Sequence, residues 1–164
     1  MGLVWVARLA DDAQTAEIMA NPDTAYHFIN PEEDVEDESI LDLDKEWHAA
    51  HHLLTGTAEP VDGPLSLIVG KFEQIGDDNG YGPAWFIPAS ALRAFSEASA
   101  SLDESELRRR YNPDAMAREK VYIGDMYQEE GEEGFPYLFH RVEALRQFAA
   151  RATAAGKGAF AVIT

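Results

Sequence analysis

Apolar residues fall along this chain in two rhythms, and the changes between them mark its elements. Leu3 to Leu9 carries Val4, Trp5 and Val6 with only weak alternation. That pattern predicts a strand apolar on both faces, and so a central one. Ala159 to Thr164, Ala-Phe-Ala-Val-Ile-Thr, reads the same way. The longest helical rhythm runs from Phe135 to Ala155. Leu138, Phe139, Val142, Leu145, Phe148 and Ala149 recur there at i, i+3 and i+4 spacings, so one stripe faces a core. Gly156-Lys-Gly158 turns the chain from this helix into the last strand.

Shorter elements fill the middle. Asp11 or Asp12 caps a helix over Ala13 to Ala20, with Ile18 and Met19 inward, and Asn21-Pro22 stops it. Tyr26 to Ile29 is an apolar patch, and Pro31 to Ser39 an acidic loop. Asp44 is the expected N-cap of a helix from Lys45 to Leu54, and Gly56 is placed to end it. Pro64 to Gly70 suits either a short helix or a strand. Phe72 to Ile75 and Ala84 to Ile87 read as strands around the Gly-rich loop Gly76 to Pro83. Pro88 opens a helix to about Ser101, with Leu92, Phe95 and Ala91 inward. Asp103 caps Glu104 to Tyr111, and Asn112-Pro113 starts a helix to about Glu119. Val121 to Ile123 is expected to be extended, with an acidic loop after it. These elements make a mixed α/β (α+β) fold in a single domain over residues 1–164. Its central sheet would contain the N- and C-terminal strands, with helices packed on its faces.

Charge narrows the choice of partners. Thirteen basic and thirty acidic residues give a net charge of −17. Such a field repels phosphate backbones and anionic membranes. The acids cluster in two blocks. One holds Glu32, Glu33, Asp34, Glu36, Asp37 and Glu38; the other holds Asp125, Glu129, Glu130, Glu132 and Glu133. They read as a solvated surface, a docking face for a basic partner, or an adaptation to salt. Cys is absent, which removes disulfides, thiolate metal sites and a Cys nucleophile. The start of the chain lacks the features of a signal peptide, and no apolar run reaches membrane-span length. A cytoplasmic location is expected.

The densest candidate chemistry lies between Leu41 and Gly56. On a helix, His48 and His52 stand one turn apart, and Asp44 precedes His48 by the same spacing. An i, i+4 His pair with a carboxylate can chelate zinc and acidify a bound water. The Glu of a His-Glu-x-x-His motif is missing, however, and no metal or other cofactor is expected. The simpler expectation is that Asp44 caps the helix and pairs with a His, while His51 sits beside Trp47 and bonds to backbone. A third arrangement is a small-molecule cleft lined by Trp47, His51, Tyr81 and Trp85. The Gly80–Gly82 loop lacks the residues of a phosphate cradle, and Asp77 and Asp78 would repel phosphate.

Leu41 to Gly56 resembles a signature of the YfbM-like family of bacterial proteins, a domain of unknown function (DUF1877). Gly80-Tyr-Gly-Pro-Ala84 is similar to its second signature. Glu104-Ser-Glu-Leu-Arg108 and Tyr111-Asn-Pro-Asp-Ala-Met116 are similar to its third. Val121-Tyr-Ile123 and the long last helix match in order, so the resemblance covers Leu3 to Ile163. It implies a compact α/β domain, cytoplasmic in bacteria, and no particular reaction. Family members often carry Arg at the position of Trp85, and His is most regular at the position of His51.

Three functional classes fit these residues. The first is a non-enzymatic binding or interaction protein for a small molecule or protein, with Asp44, Trp47, His48, His51, His52, Tyr81 and Trp85 as candidate ligand contacts. The second is a hydrolase-like enzyme using the His residues and Asp44, with or without metal. The third is an acidic, immunity-type inhibitor of a basic toxin. A buried His51 bonded to main chain would mark a packing role. Converging His and carboxylate groups in a preformed pocket would mark a site.

Overall fold

The protein is described by a computed structural model over residues 2–33 and 37–164. Five antiparallel strands form one sheet: β1 (Trp5–Ala10), β2 (Ile40–Asp42), β3 (Glu73–Ile75), β4 (Ala84–Ile87) and β5 (Gly158–Ile163). Their order is β2-β1-β5-β4-β3, so β5 is the middle strand and β1 lies beside it. Trp5 pairs with Ile163 and Ala10 with Gly158, and on the other side of β5 Trp85 pairs with Ala161. The two strands expected to be apolar on both faces occupy the centre, where both faces are covered.

Alternation divides these strands between two cores. Trp5, Ala7 and Leu9, with Ile87, Ala159 and Ala161, enter the larger core. Val6, Ala10, Ala84, Phe160 and Val162 enter the smaller one. Helices α1 (Asp12–Ala20) and α2 (Ala25–Ile29) bring Ile18, Ala25 and Ile29 to the smaller core. The larger core is built by α3 (Trp47–Thr55), α4 (Ala89–Ser99), α5 (Glu104–Arg110), α6 (Pro113–Arg118), α7 (Gly124–Glu130) and α8 (Phe135–Ala155). The fully buried stripe Leu138, Val142, Leu145, Phe148 and Ala149 sets α8 against α4 and α3. Each of its large side chains contributes about 1.5–3 kcal/mol by leaving water.

Side-chain caps start three of the helices. Asp11 accepts from Gln14 N–H, and the Gln14 side chain accepts in return from Asp11 N–H, so Asp11 is the cap of α1. Asp103 and Asn112 cap α5 and α6 through Glu106 N–H and Ala115 N–H. Gly56 ends α3 in the left-handed region at φ 79°.

The structure corrects several expectations. Asp44 does not cap α3. A 3₁₀ turn over Asp44–Glu46 precedes the helix, and Asp44 itself has φ 49°. Its N–H donates to Asp42 Oδ1 at 2.6 Å, so Asp42, at the end of β2, makes the turn. Strand β2 itself has no signature in the sequence, because three residues ending in Asp carry little alternation. Met19 is half-buried rather than buried, and Tyr26–Ile29 belongs to the short helix α2. Pro64 to Gly70 is neither helix nor strand, although Leu67 and Ile68 are buried. Val121–Ile123 is a turn rather than an extended piece, with Gly124 N–H bonded to Val121 O at 2.7 Å. The second acidic block belongs to α7 and a following 3₁₀ turn, anchored by buried Tyr127. Of the first block, Asp34 and Glu36 lie outside the described residues; Asp37 pairs with Arg8 at 3.2 Å. Among the described residues no helix is long and apolar enough to cross a membrane.

Candidate functional site

Helix α3 is buried on most of its circumference: Trp47, Ala49, Ala50, His51, His52, Leu53 and Leu54 are all buried. Its polar side chains must therefore find partners inside the protein. Its C-terminus is closed twice over. Gly56 N–H donates to His52 O at 2.7 Å, and Arg110 Nη1 donates to Leu54 O at 2.9 Å.

His48 is used completely. Its Nδ1 accepts from Tyr122 N–H at 2.9 Å, so the proton sits on Nε2, which donates to Ala58 O at 2.9 Å. The ring stacks on Trp47 at 4.9 Å between centroids. Trp47 Nε1–H in turn donates to Leu3 O at 3.1 Å. This group pins the 120–123 turn and the start of the chain to α3.

His51 is wholly buried. Its Nε2–H donates to Glu59 O at 2.9 Å and lies 3.4 Å from the Thr55 hydroxyl, while Nδ1 has no partner. Burial, first of all, holds its pKa below the usual histidine value, with the neighbouring His48 and His52 acting in the same direction. The Glu59 carbonyl opposes them.

His52 differs from both. It is 2% exposed, yet among the described residues neither ring nitrogen makes a hydrogen bond. Its Nε2 is 3.6 Å from Glu119 Oε1, too far for one. Glu119 Oε2 accepts from Ala58 N–H at 3.0 Å. That bond chiefly holds the Glu119 carboxyl below its usual range, with His52 and Arg118 assisting. His52 and Glu119 lie in the wall of a cavity of about 450 Å³, with Thr55, Arg110, Asn112 and Arg118. Arg110 is tied to Glu106 at 3.2 Å. Arg118 is exposed and forms no ion pair among the described residues.

The other expected contacts are dispersed. Asp44 faces Arg141 at 3.7 Å rather than a His. Tyr81 is 53% exposed on its loop. Trp85 is half-buried on β4, with Nε1 buried and unpartnered. The bonds of His51 run to Glu59 and Thr55, and none joins it to Tyr81. Of the seven candidates only His52 lines the 450 Å³ cavity. Asp78 Oδ1 accepts from Gly80 N–H at 2.6 Å and Gly82 N–H at 3.0 Å, so the loop's own carboxylate fills the place an anion would take. Among the described residues no three His, Cys, Asp or Glu side chains converge as metal ligands. Both His48 nitrogens are already committed to backbone, so the i, i+4 pair is not free to chelate.

Sequence reasoning misses Glu119, Arg110 and Arg118 because they lie outside the His-bearing helix. One signal is present: Arg108 to Arg110 is the densest basic run in an acidic chain.

A family model described as Domain of unknown function (DUF1877) matches residues 1–162. The crystal structure of YfbM from Escherichia coli, a protein of unknown function, matches with a TM-score of 0.75 and 24% identity over 99% of each chain. At that identity the likeness concerns the fold. No curated protein matches the chain. The match over nearly its whole length, with the same fold in YfbM, shows that the chain belongs to the DUF1877 family.

Proposed function

We propose that this protein is a non-enzymatic binding protein of the bacterial cytoplasm, and that its ligand is a small polar molecule held in the cavity between α3, α5 and α6. One observation carries the reading. His52 is buried at the cavity wall with both ring nitrogens unpartnered. Burying a polar group without a hydrogen bond costs stability. Both nitrogens are closed to solvent, so a bound ligand would supply the missing partner by moving aside the Glu119 side chain, 3.6 Å from Nε2. The negative field favours a small molecule over nucleic acid or an anionic membrane. A catalytic reading draws less support, because His48 and His51 spend their Nε2 protons on backbone carbonyls and Asp44 faces Arg141.

The test is a calorimetric screen of small polar metabolites against wild type and two variants. His52→Phe keeps a ring of similar size and removes two nitrogens that bond to nothing. It is expected to fold with stability equal to or above wild type and to lose the ligand. His48→Phe strands Tyr122 N–H and Ala58 O, and is expected to cost about 1–3 kcal/mol for each group left buried and unpaired. Unchanged ligand affinity in His52→Phe would remove the cavity from consideration.

A further inference from the structure

The geometry points to a small zwitterion with the charge pattern of a free α-amino acid as the occupant of this cavity; the inference rests on the cavity being the ligand site. Its wall offers two unspent charges of opposite sign. Arg118 has no carboxylate partner among the described residues. Arg110 engages Nη1 with Leu54 O and Nε with Glu106 Oε1, which leaves its Nη2 outside those bonds. These guanidinium donors suit a carboxylate. On the acceptor side, Glu119 spends Oε2 on Ala58 N–H, while Oε1 looks toward His52 across 3.6 Å without a donor. An ammonium group carries three donors and suits that oxygen.

Net charge decides among the simpler alternatives. A plain anion would meet the arginines but must approach through the field of a −17 chain and sit beside Glu119. A plain cation would be drawn by that field and then meet two guanidinium groups. A molecule of zero net charge with separated poles avoids both penalties and pairs with both sets of groups. The cavity, at about 450 Å³, lies in the lower half of the usual size range for small-molecule sites, which fits a ligand of amino-acid size.

The experiment is an NMR titration of the ¹⁵N-labelled full chain with the twenty α-amino acids, and with acetate, inorganic phosphate and methylamine as single-charge probes. At least one amino acid is expected to shift resonances of His52, Arg118 and Glu119 saturably. Its N-acetyl form, Arg118→Gln and Glu119→Gln are each expected to weaken binding about tenfold or more, the loss of one charge-assisted contact. Both variants should fold, since Arg118 forms no ion pair among the described residues and the amide carbonyl that Glu119→Gln introduces can still accept from Ala58 N–H. Acetate, phosphate or methylamine binding as tightly as any amino acid would overturn the zwitterion and leave the cavity as a site. If the metabolite screen finds a ligand that His52→Phe loses while no amino acid shifts the cavity, the zwitterion is again wrong and the site stands. No shift in the cavity with any probe, and no ligand in the screen, would overturn both.

Discussion

His48, His51 and His52 differ in what the surrounding backbone offers their ring nitrogens. Two backbone groups reach His48, one carbonyl reaches His51, and among the described residues no backbone group bonds to His52. Sequence spacing places these rings on one helix and marks His51 as a buried group bonded to main chain. It cannot name the partners, since Tyr122 lies 74 positions from His48. A residue type announces what it can bond to, whereas the partner depends on tertiary approach. The burial of His51 has a pH consequence. Its folded pKa lies below the ordinary value of 6.5, so as pH falls past that value the unfolded chain takes up the proton first. The stabilising contribution is present above about pH 6.5 and is lost as pH falls toward the folded pKa. Chemical denaturation between pH 7.5 and 5.5 should show wild type losing more stability than His51→Gln. A gap between them that stays constant across that window would mean that His51 is protonated within the fold. The depressed carboxyls of Asp37 and Glu119 act at lower pH and are common to both proteins.

Elements are legible where one face is apolar over several turns. The bounds Phe135 to Ala155 read from spacing are those of α8, and the pattern around Leu92 and Phe95 marks α4. Helix α7 is hidden because its inward face is little more than Gly124 and Tyr127, while Asp125, Glu129 and Glu130 suggest a loop. Gly124 is small for a reason: a side chain there would meet Met116 O at 2.7 Å. Asp44 misleads because Asp42, two residues earlier, has the same capping chemistry and sits where the chain turns. The apolar stripe of α8 can be put to a measurement. Leu145 is fully buried in the larger core, and Leu145→Ala should cost about 2–5 kcal/mol, depending on how far the site collapses. Urea denaturation reads this directly, and a midpoint unchanged from wild type would place Leu145 outside the cooperative core.

At the scale of the whole molecule, the fold class and the shared sheet of the terminal strands follow from two doubly apolar strands and the helical patterns between them. The strand order does not, because nothing in β3 or β4 says which neighbour each takes. Charge also acts at this scale. Thirty acidic residues face thirteen basic ones, and the ion pairs at the surface contribute only about 0–1 kcal/mol each. Repulsion spread over the acidic excess is therefore the larger effect, and salt screens it. The Tm should be higher in moderate NaCl than in dilute buffer. A Tm that falls with added salt would show that pairs such as Arg8–Asp37 and Arg108–Glu132 outweigh the repulsion.

The position of β5 bears on how the domain is assembled in time. It is the last strand in sequence and the middle strand in space, hydrogen-bonded to β1 on one side and β4 on the other. A growing polypeptide therefore holds two half-sheets with open inner edges until synthesis has passed Ile163. Pairing Trp5 with Ile163 closes nearly the whole chain into a loop, a late and entropically costly contact. During that interval the inner edges of β1 and β4 are free to pair with other chains, so the half-made sheet is the stage of assembly most open to aggregation.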